Sequence, residues 1–323
     1  GRATDDETAA LAEMDAVYQR LRELVRGELE RYAGWMRENQ AGWEARAPGL
    51  LQVEDCFFDG PIERARSWQV GGVRYTPGIC AIAGIASLAD GLAALEHGLG
   101  AGAVSLEQFR RALEEDWRGH EGLRRLCLNA PQFGQDDERA DGHAVRALEM
   151  VLDEVDRASR RDSLEQVMFF CCLETDMRHI RFGREIGATP DGRRAGEPIS
   201  ENTSPNPGAA VNGLTAMLRS VAKLPLSRIH SGALNVRLRP AWFAGEEGLA
   251  RLAGLLRTYF DLGGLQVQLS FADVETLRDA QRCPERHRDL MVRITGYSAA
   301  FVDMTREAQD EIIRREEMGD SRS

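Results

Sequence analysis

Between Leu234 and Phe271 the hydrophobic pattern changes period twice, and this restricts the fold more than any other stretch does. Leu234, Val236 and Leu238 alternate with Asn235, Arg237 and Arg239, the period-two signature of a strand with one buried face. From Glu246 to Leu262 the pattern becomes helical: Leu249, Leu252, Leu255, Leu256, Tyr259 and Phe260 fall on one side, and Gly263 follows as a stop. Alternation then returns, with Leu265, Val267, Leu269 and Phe271 set against Gln266, Gln268 and Ser270. Two strands separated by a single helix are expected to lie parallel in one sheet, joined by a right-handed crossover. The chain is therefore expected to be α/β.

The remaining elements are read in the same way. Asp5 to about Glu44 is expected to form one long helix or a helical pair, with Leu11, Met14, Tyr18, Leu21, Val25, Tyr32 and Met36 on one face. Leu50 to Cys56 reads as a short helix or strand, and Gly71 to Tyr75 as a glycine-flanked strand. Ser87 to Leu99 is helical, striped by Leu88, Leu92, Leu95 and Leu99. Gly98, Gly100 and Gly102 have phosphate-loop spacing but follow a helix rather than a strand, which removes the dinucleotide reading. Ser105 and Gln108 form a capping box that opens a helix over Leu106–Trp117. Asp136 to about Arg160 is a further helix with Ala144, Leu148, Val151, Leu152 and Val155 inward, and Met168–Leu173 a short strand. Pro190-Asp191-Gly192 is a turn in its own right and marks a rigid loop. Thr276–Arg282 and Pro284–Asp289 lead, as helical turns, into an apolar strand over Leu290–Ile294.

Composition narrows the function. A chain of 323 residues can fill one large or two ordinary domains. Its net charge of −11 offers no basic footprint for nucleic acid or an anionic membrane. No apolar run approaches the roughly 18 residues of a membrane span, and the first residues lack the apolar core of a signal peptide. Six cysteines with no CxxC pair point to a reduced compartment, so a cytoplasmic location is expected. The six histidines (His97, His120, His143, His179, His230, His287) show no HxxxH spacing and there is no GxSxG, so neither a bound catalytic metal nor a serine hydrolase is expected.

A chemical signature lies near the end, in Arg293-Ile294-Thr295-Gly296-Tyr297-Ser298-Ala299-Ala300-Phe301, followed by Gln309, Glu311, Ile312 and Ile313. A stable carbon radical on the backbone needs a planar Cα, so that the unpaired electron spreads into both flanking peptide groups. Only glycine leaves that centre uncrowded. Taken alone, these nine residues read as a turn glycine between a strand and a helix. Upstream segments change the balance: Gly71-Gly72-Val73-Arg74-Tyr75, the stretch Leu126–Asp137 with Asn129-Ala130-Pro131, and the run from His179 through Gly187-Ala188-Thr189-Pro190-Asp191-Gly192-Arg193 to Pro198, continued by Ser204-Pro205 and Gly208. Together they resemble the glycyl radical enzymes, the family of pyruvate formate-lyase, the glycerol and diol dehydratases and the choline lyase. Thr76, Phe133 and Gln135 stand where that family has Asn, Tyr and Asn. The tail wording, Gly-Tyr-Ser-Ala-x-Phe-Val, is closer to the dehydratase and choline-lyase branch.

The resemblance implies the C-terminal half of a ten-stranded α/β barrel ending in a glycine radical domain. It divides the chain into a helical segment (1–47), a half-barrel segment (48–198) and the radical domain (199–323). It makes Gly296 the radical site, with Arg293, Tyr297 and Phe301 supporting its loop. The radical would be installed by a separate radical S-adenosylmethionine activase, with no cofactor held by this chain. The reaction would be homolytic C–O, C–C or C–N cleavage of a small polar substrate by a lyase or acyltransferase. In the dehydratase branch the catalytic cysteine lies in a Gly-Cys-x-Glu stretch, and no Gly-Cys pair occurs here. A thiyl cysteine is therefore expected from a second chain or a missing segment, with Cys80 as the only internal candidate. Cys171 and Cys172 read as core residues, and Cys56, Cys127 and Cys283 as packing. A different class also stays open: a non-catalytic spare radical domain, or a regulatory protein that binds the activase.

Overall fold

The computed structural model describes residues 5–46, 48–100, 104–161, 167–173, 178–238, 240–270, 274–293, 298–310 and 312–313. Among them the helices are α1 (Asp5–Arg46), α2 (Pro61–Arg64), α3 (Ile85–Gly100), α4 (Leu106–Glu114), α5 (Glu121–Leu128), α6 (Glu138–Arg161), α7 (Arg178–Glu185), α8 (Leu214–Ala222), α9 (Gly245–Asp261) and α10 (Val274–Arg282). The strands are β1 (Thr76–Ala81), β2 (Val167–Leu173), β3 (Ser231–Arg237), β4 (Gln266–Ser270), β5 (Met291–Arg293) and β6 (Ser298–Ala300). The chain divides into a smaller unit, Asp15–Cys80 with Glu149–Cys172, and a larger one made of Gly1–Met14, Ala81–Leu148 and Leu173–Ser323.

In the smaller unit α1 buries Tyr18, Leu29 and Ala33, positions about three turns and one turn apart on one face. Glu154, on the C-terminal part of α6, is buried, and Arg26 holds it with two hydrogen bonds, Nε to Oε2 at 2.9 Å and Nη2 to Oε1 at 3.0 Å. That bidentate pair keeps the carboxyl below its ordinary range despite burial. Strand β1 pairs with β2. The Tyr32 ring lies 5.9 Å from that of Phe169 on β2.

The strand expected over Gly71–Tyr75 is not formed; the ladder begins one residue later, at Thr76. Gly71 instead caps the 3-10 turn Trp68–Val70 in the left-handed region, φ 82°. Arg74 N–H then donates to Asp59 O at 2.9 Å rather than to a neighbouring strand. The two glycines serve a turn. Leu50–Cys56 resolves into a 3-10 helix over Val53–Phe57.

The larger unit contains the expected β-α-β element. β3 and β4 are parallel, in register from Ala233 opposite Gln266 to Arg237 opposite Ser270, with α9 between them in the chain. Ala233, Leu234 and Val236 are buried. The apolar side of α9 departs from expectation. Tyr259 is fully buried, but Leu249 and Phe260 are exposed. Around α3, whose Ala86, Ala89, Ala93 and Ala94 are buried, one cluster gathers Ala94, Phe109, Ala112, Trp117, Cys127 and Ala130. The capping box of Ser105 and Gln108 is present at the start of α4. No described helix is long and apolar enough to cross a membrane.

Candidate functional site

The signature glycine belongs to a stretch framed by a hairpin. β5 and β6 are antiparallel, with Met291 opposite Ala300, Val292 opposite Ala299 and Arg293 opposite Ser298. Gly296 and Tyr297 fall in the four residues joining them, which lie outside the described residues, as does the side chain of Arg293. Phe301 is fully buried and belongs to a cluster with Leu277, Ala280, Val292, Ile312 and Ile313. Its N–H donates to Leu290 O at 2.9 Å. Gln309 Nε2 donates to Phe301 O at 2.8 Å and to Met304 O at 3.3 Å. Gln309 thus ties the last described helical turn to the end of the hairpin. Beside this cluster His287 Nε2 lies 2.8 Å from Asp279 Oδ2, and that bond, helped by Arg282, holds the Asp279 carboxyl below its usual range.

A second structure is built on Arg193, whose buried guanidinium is encircled by its own loop. Nε donates to Thr189 Oγ1 at 3.1 Å. Nη1 reaches the carbonyls of Arg194 at 3.0 Å, Glu197 at 2.5 Å and Gly183 at 3.5 Å. Nη2 donates to Ile186 O at 3.3 Å and to Gly187 O. Desolvation lowers the Arg193 pKa, while the facing Asp191 carboxylate opposes that shift. Burial raises the Asp191 pKa despite the Thr189 hydroxyl that donates to it. Trp117 Nε1 donates to Arg193 O at 3.0 Å, and Arg124 Nε to Gly192 O at 2.7 Å. Gly183 lies so close to the loop that a Cβ there would stand 2.2 Å from Glu197 O. The turn expected at Pro190-Asp191-Gly192 is a rigid loop, anchored from inside by Arg193. His179 is buried on α7.

A third polar centre went unread in the sequence. Asp90, buried in α3, accepts from Phe133 N–H at 2.6 Å and from Asn206 Nδ2 at 2.7 Å. Ser87 Oγ donates to Asn206 Oδ1 at 2.7 Å and accepts from Ser200 N–H at 2.8 Å. Ser200 Oγ accepts in turn from the backbone N–H groups of Ala86 and Ser87. Burial pushes the Asp90 carboxyl up to about 8, although both donors pull the other way. The network fastens the Asn129–Gln135 segment and the Ser200–Asn206 segment to one helix. A lone acid inside the apolar run Ile85–Leu95 was the available signal.

Sequence profiles decide the family. The family described as Pyruvate formate lyase-like matches residues 1–169, and the one described as Glycine radical matches residues 199–302. The chain belongs to the glycyl radical enzymes. It is 38% identical over 274 residues to the probable dehydratase YbiW of Escherichia coli, covering 82% of this chain and 33% of that protein. It is 33% identical over 267 residues to the trans-4-hydroxy-L-proline dehydratase of Clostridioides difficile, again 82% and 33%. The glycerol-bound B12-independent glycerol dehydratase of Clostridium butyricum superposes with a TM-score of 0.74 at 32% identity, over 80% of this chain and 33% of that one. The fold is thus α/β of glycyl radical enzyme type, and the chain spans about one third of the length of the relatives it matches.

The cysteines of this glycyl radical enzyme chain separate by environment. Cys80, on β1, is half-buried, and burial together with the neighbouring Cys172 pushes its thiol up to about 11. Cys171 and Cys172 are buried, as expected of core residues. Cys127 is buried and pushed up to about 12, mainly by desolvation. Cys56, expected to pack, is exposed instead, because the 3-10 turn that carries it points Asp55 inward. Among the described residues no group of three or more His, Cys, Asp or Glu side chains is arranged to hold a metal ion.

Proposed function

We propose that this chain is the radical-bearing part of a glycyl radical lyase or dehydratase, with Gly296 as the radical site. The observation that carries the reading is the pairing of Arg293 with Ser298 at the two ends of residues 294–297, which supports a loop pinned on a hairpin. Phe301, buried and hydrogen-bonded at both backbone groups, supports its assignment as a brace of that loop. Arg293 and Tyr297 are assigned as further supports from their place in the motif. The functional partition follows the segments 1–47, 48–198 and 199–323.

In the proposed reaction a separate radical S-adenosylmethionine activase removes a hydrogen atom from Gly296. The Gly296 Cα then takes a hydrogen atom from a cysteine thiol: the S–H bond breaks, a Cα–H bond forms and a thiyl radical is left to attack substrate. That thiol must be protonated to serve as a hydrogen-atom donor. Cys80, with its raised pKa, meets this condition and is the internal candidate. The alternative is a cysteine supplied by a missing segment or a second chain, because two thirds of each of these relatives has no counterpart among the matched residues. The substrate is a small polar molecule, and dehydration is the favoured chemistry because relatives include dehydratases of glycerol and of hydroxyproline.

The test is electron paramagnetic resonance after anaerobic treatment with a cognate activase, S-adenosylmethionine and reductant. Wild type should give a doublet that Gly296→Ala abolishes, and exposure to air should cleave the chain at Gly296. Absence of the doublet with a competent activase would overturn the assignment and leave a non-catalytic, activase-binding role.

A further inference from the structure

Where α1 meets the C-terminal part of α6, cations gather in a chain whose net charge is −11. On α6, Glu154, Arg157 and Ala158 are three and four residues apart and share one face. On α1, Arg22, Arg26, Leu29, Ala33 and Arg37 repeat at the same spacing. Glu154 is 4% exposed, and three guanidiniums converge on it. Arg26 takes both carboxylate oxygens, Nε at 2.9 Å and Nη2 at 3.0 Å. Arg157 Nη1 stands off at 3.5 Å and Arg22 Nη1 at 3.6 Å. One bidentate arginine already pairs a buried carboxylate. The other N–H groups of these three guanidiniums, Arg26 Nη1 included, have no acceptor among the described residues.

These groups line a cavity of about 180 Å³, with Arg26, Arg37 and Arg157 beside Glu30 and Glu154, and Leu29, Ala33 and Ala158 as its apolar part. Leu29 and Ala33 are buried, so that part is fixed in place. With Arg22 there are four guanidiniums against three carboxylates, since Glu23 also acts on Arg26. One positive charge is left in excess. It is carried by side chains only 34% to 38% exposed, where a charge is less well screened than in open water. A guanidinium offers parallel N–H donors that fit a carboxylate. The single excess charge suits a monoanion rather than a dianion, and the apolar part suits a ligand with some hydrocarbon. The volume, below the roughly 300 Å³ at which drug-sized sites begin, suits a short one.

We propose that this cavity between α1 and α6 binds a small organic monocarboxylate, its carboxylate held by Arg157 and Arg26 Nη1 and its short hydrocarbon portion set against Leu29, Ala33 and Ala158. Glu154 keeps the Arg26 fork in one orientation before the ligand arrives, so little side-chain freedom is lost on binding. The site binds and does no chemistry. A carboxylate bridging Arg26 of α1 and Arg157 of α6 ties the two helices together, so occupancy adds to the stability of the smaller unit. The site stands whether or not Gly296 carries a radical.

The experiment titrates the full chain calorimetrically with butyrate, acetate, butylammonium and inorganic phosphate. Three variants accompany the wild type: Arg157→Gln, which leaves the Arg26 fork on Glu154; Ala158→Leu, which fills the apolar part without altering charge; and Arg110→Gln, an exposed control on α4. Circular dichroism confirms that each is folded. Wild type should bind butyrate with a Kd of about 1 mM or below, and butylammonium not at all. Acetate, two buried methylenes shorter, should bind about tenfold more weakly. Arg157→Gln and Ala158→Leu should each weaken butyrate by about tenfold or more, and Arg110→Gln should leave it unchanged. Butyrate should raise the melting temperature of the wild type and the control alone. Phosphate binding as tightly as butyrate, with Ala158→Leu indifferent, overturns the carboxylate class and leaves a plain anion patch. Butyrate affinity retained by both cavity variants overturns the location. No heat and no melting shift with butyrate at about 10 mM overturns the site.

Discussion

Replacing Arg193 by Met should unfasten the 183–198 loop and cost about 3–5 kcal/mol of local stability. All five N–H groups of the guanidinium are directed at acceptors of the loop: Thr189 Oγ1 and the carbonyls of residues 183, 186, 187, 194 and 197. Each bond contributes about 1 kcal/mol net, and a carbonyl left buried without a donor costs about 1–3 kcal/mol. Some of these carbonyls would recover water once the loop loosens, which sets the range. The reporters are the amides of Thr189, Gly192 and Gly196, bonded respectively to Arg193 O at 3.1 Å, Thr189 O at 3.1 Å and Ile186 O at 3.3 Å. Because about 1.4 kcal/mol is a factor of ten, their exchange should accelerate by about two to three and a half orders of magnitude. Arg193→Lys should fall between, since a single ammonium with three donors cannot span carbonyls on opposite sides of the fork. Exchange within tenfold of wild type in the Met variant, or a Lys variant that matches wild type, would refute the anchoring argument.

Other outcomes follow from the same physics. Asp90 binds its proton more tightly folded than unfolded, so its contribution is fully present below about pH 4 and is lost as pH rises toward about 8. In urea titrations the difference between wild type and Asp90→Asn should therefore shift against the wild type with pH, by up to about 1.4 kcal/mol per unit; a pH-independent difference would mean that Asp90 is ionised throughout. Gly183→Ala should lower stability by about 2–4 kcal/mol, because its Cβ would stand 2.2 Å from a backbone oxygen that cannot swing aside; an unchanged melting temperature would contradict the packing. With iodoacetamide at pH 7.5, peptide mapping should find the exposed Cys56 modified first and Cys80 slowly, the Cys80 rate rising about tenfold per pH unit up to about pH 11. Equal rates would show that the thiol of Cys80 is not raised.

What was legible in the sequence is what local periodicity encodes. β3, α9 and β4 were readable because each is long enough to display its period, and their parallel pairing followed from connection length alone. The short helices α5, α7 and α8, of eight or nine residues, were not, since two turns give too few repeats to stand out. β6 is three small residues, Ser298-Ala299-Ala300, with no alternation to detect. The candidate site divides in the same way. Gly296 and Phe301 are marked by a local motif. Asp90 and Asn206 lie 116 residues apart, and Arg193 and Trp117 are 76 apart, so those bonds exist only once the chain is folded.

Periodicity also says which face is apolar without saying what covers it, and the difference carries information. Leu249 and Phe260 lie on the stripe expected to face inward on α9, yet Leu249 is 63% exposed while Tyr259 on the same helix is fully buried. In the smaller unit residues 52–75 bury Asp55 beside Val70 and Val73, and leave Val53 and Phe57 exposed. Folding alone gives no reason for that arrangement, because burying Phe57 rather than Asp55 would contribute roughly 2–3 kcal/mol of transfer free energy. A face that is apolar by pattern, firmly built and uncovered is a face whose partner surface is not supplied by the described residues around it. The hairpin framing Gly296 buries its own apolar cluster, Phe301 included, within residues 277–313.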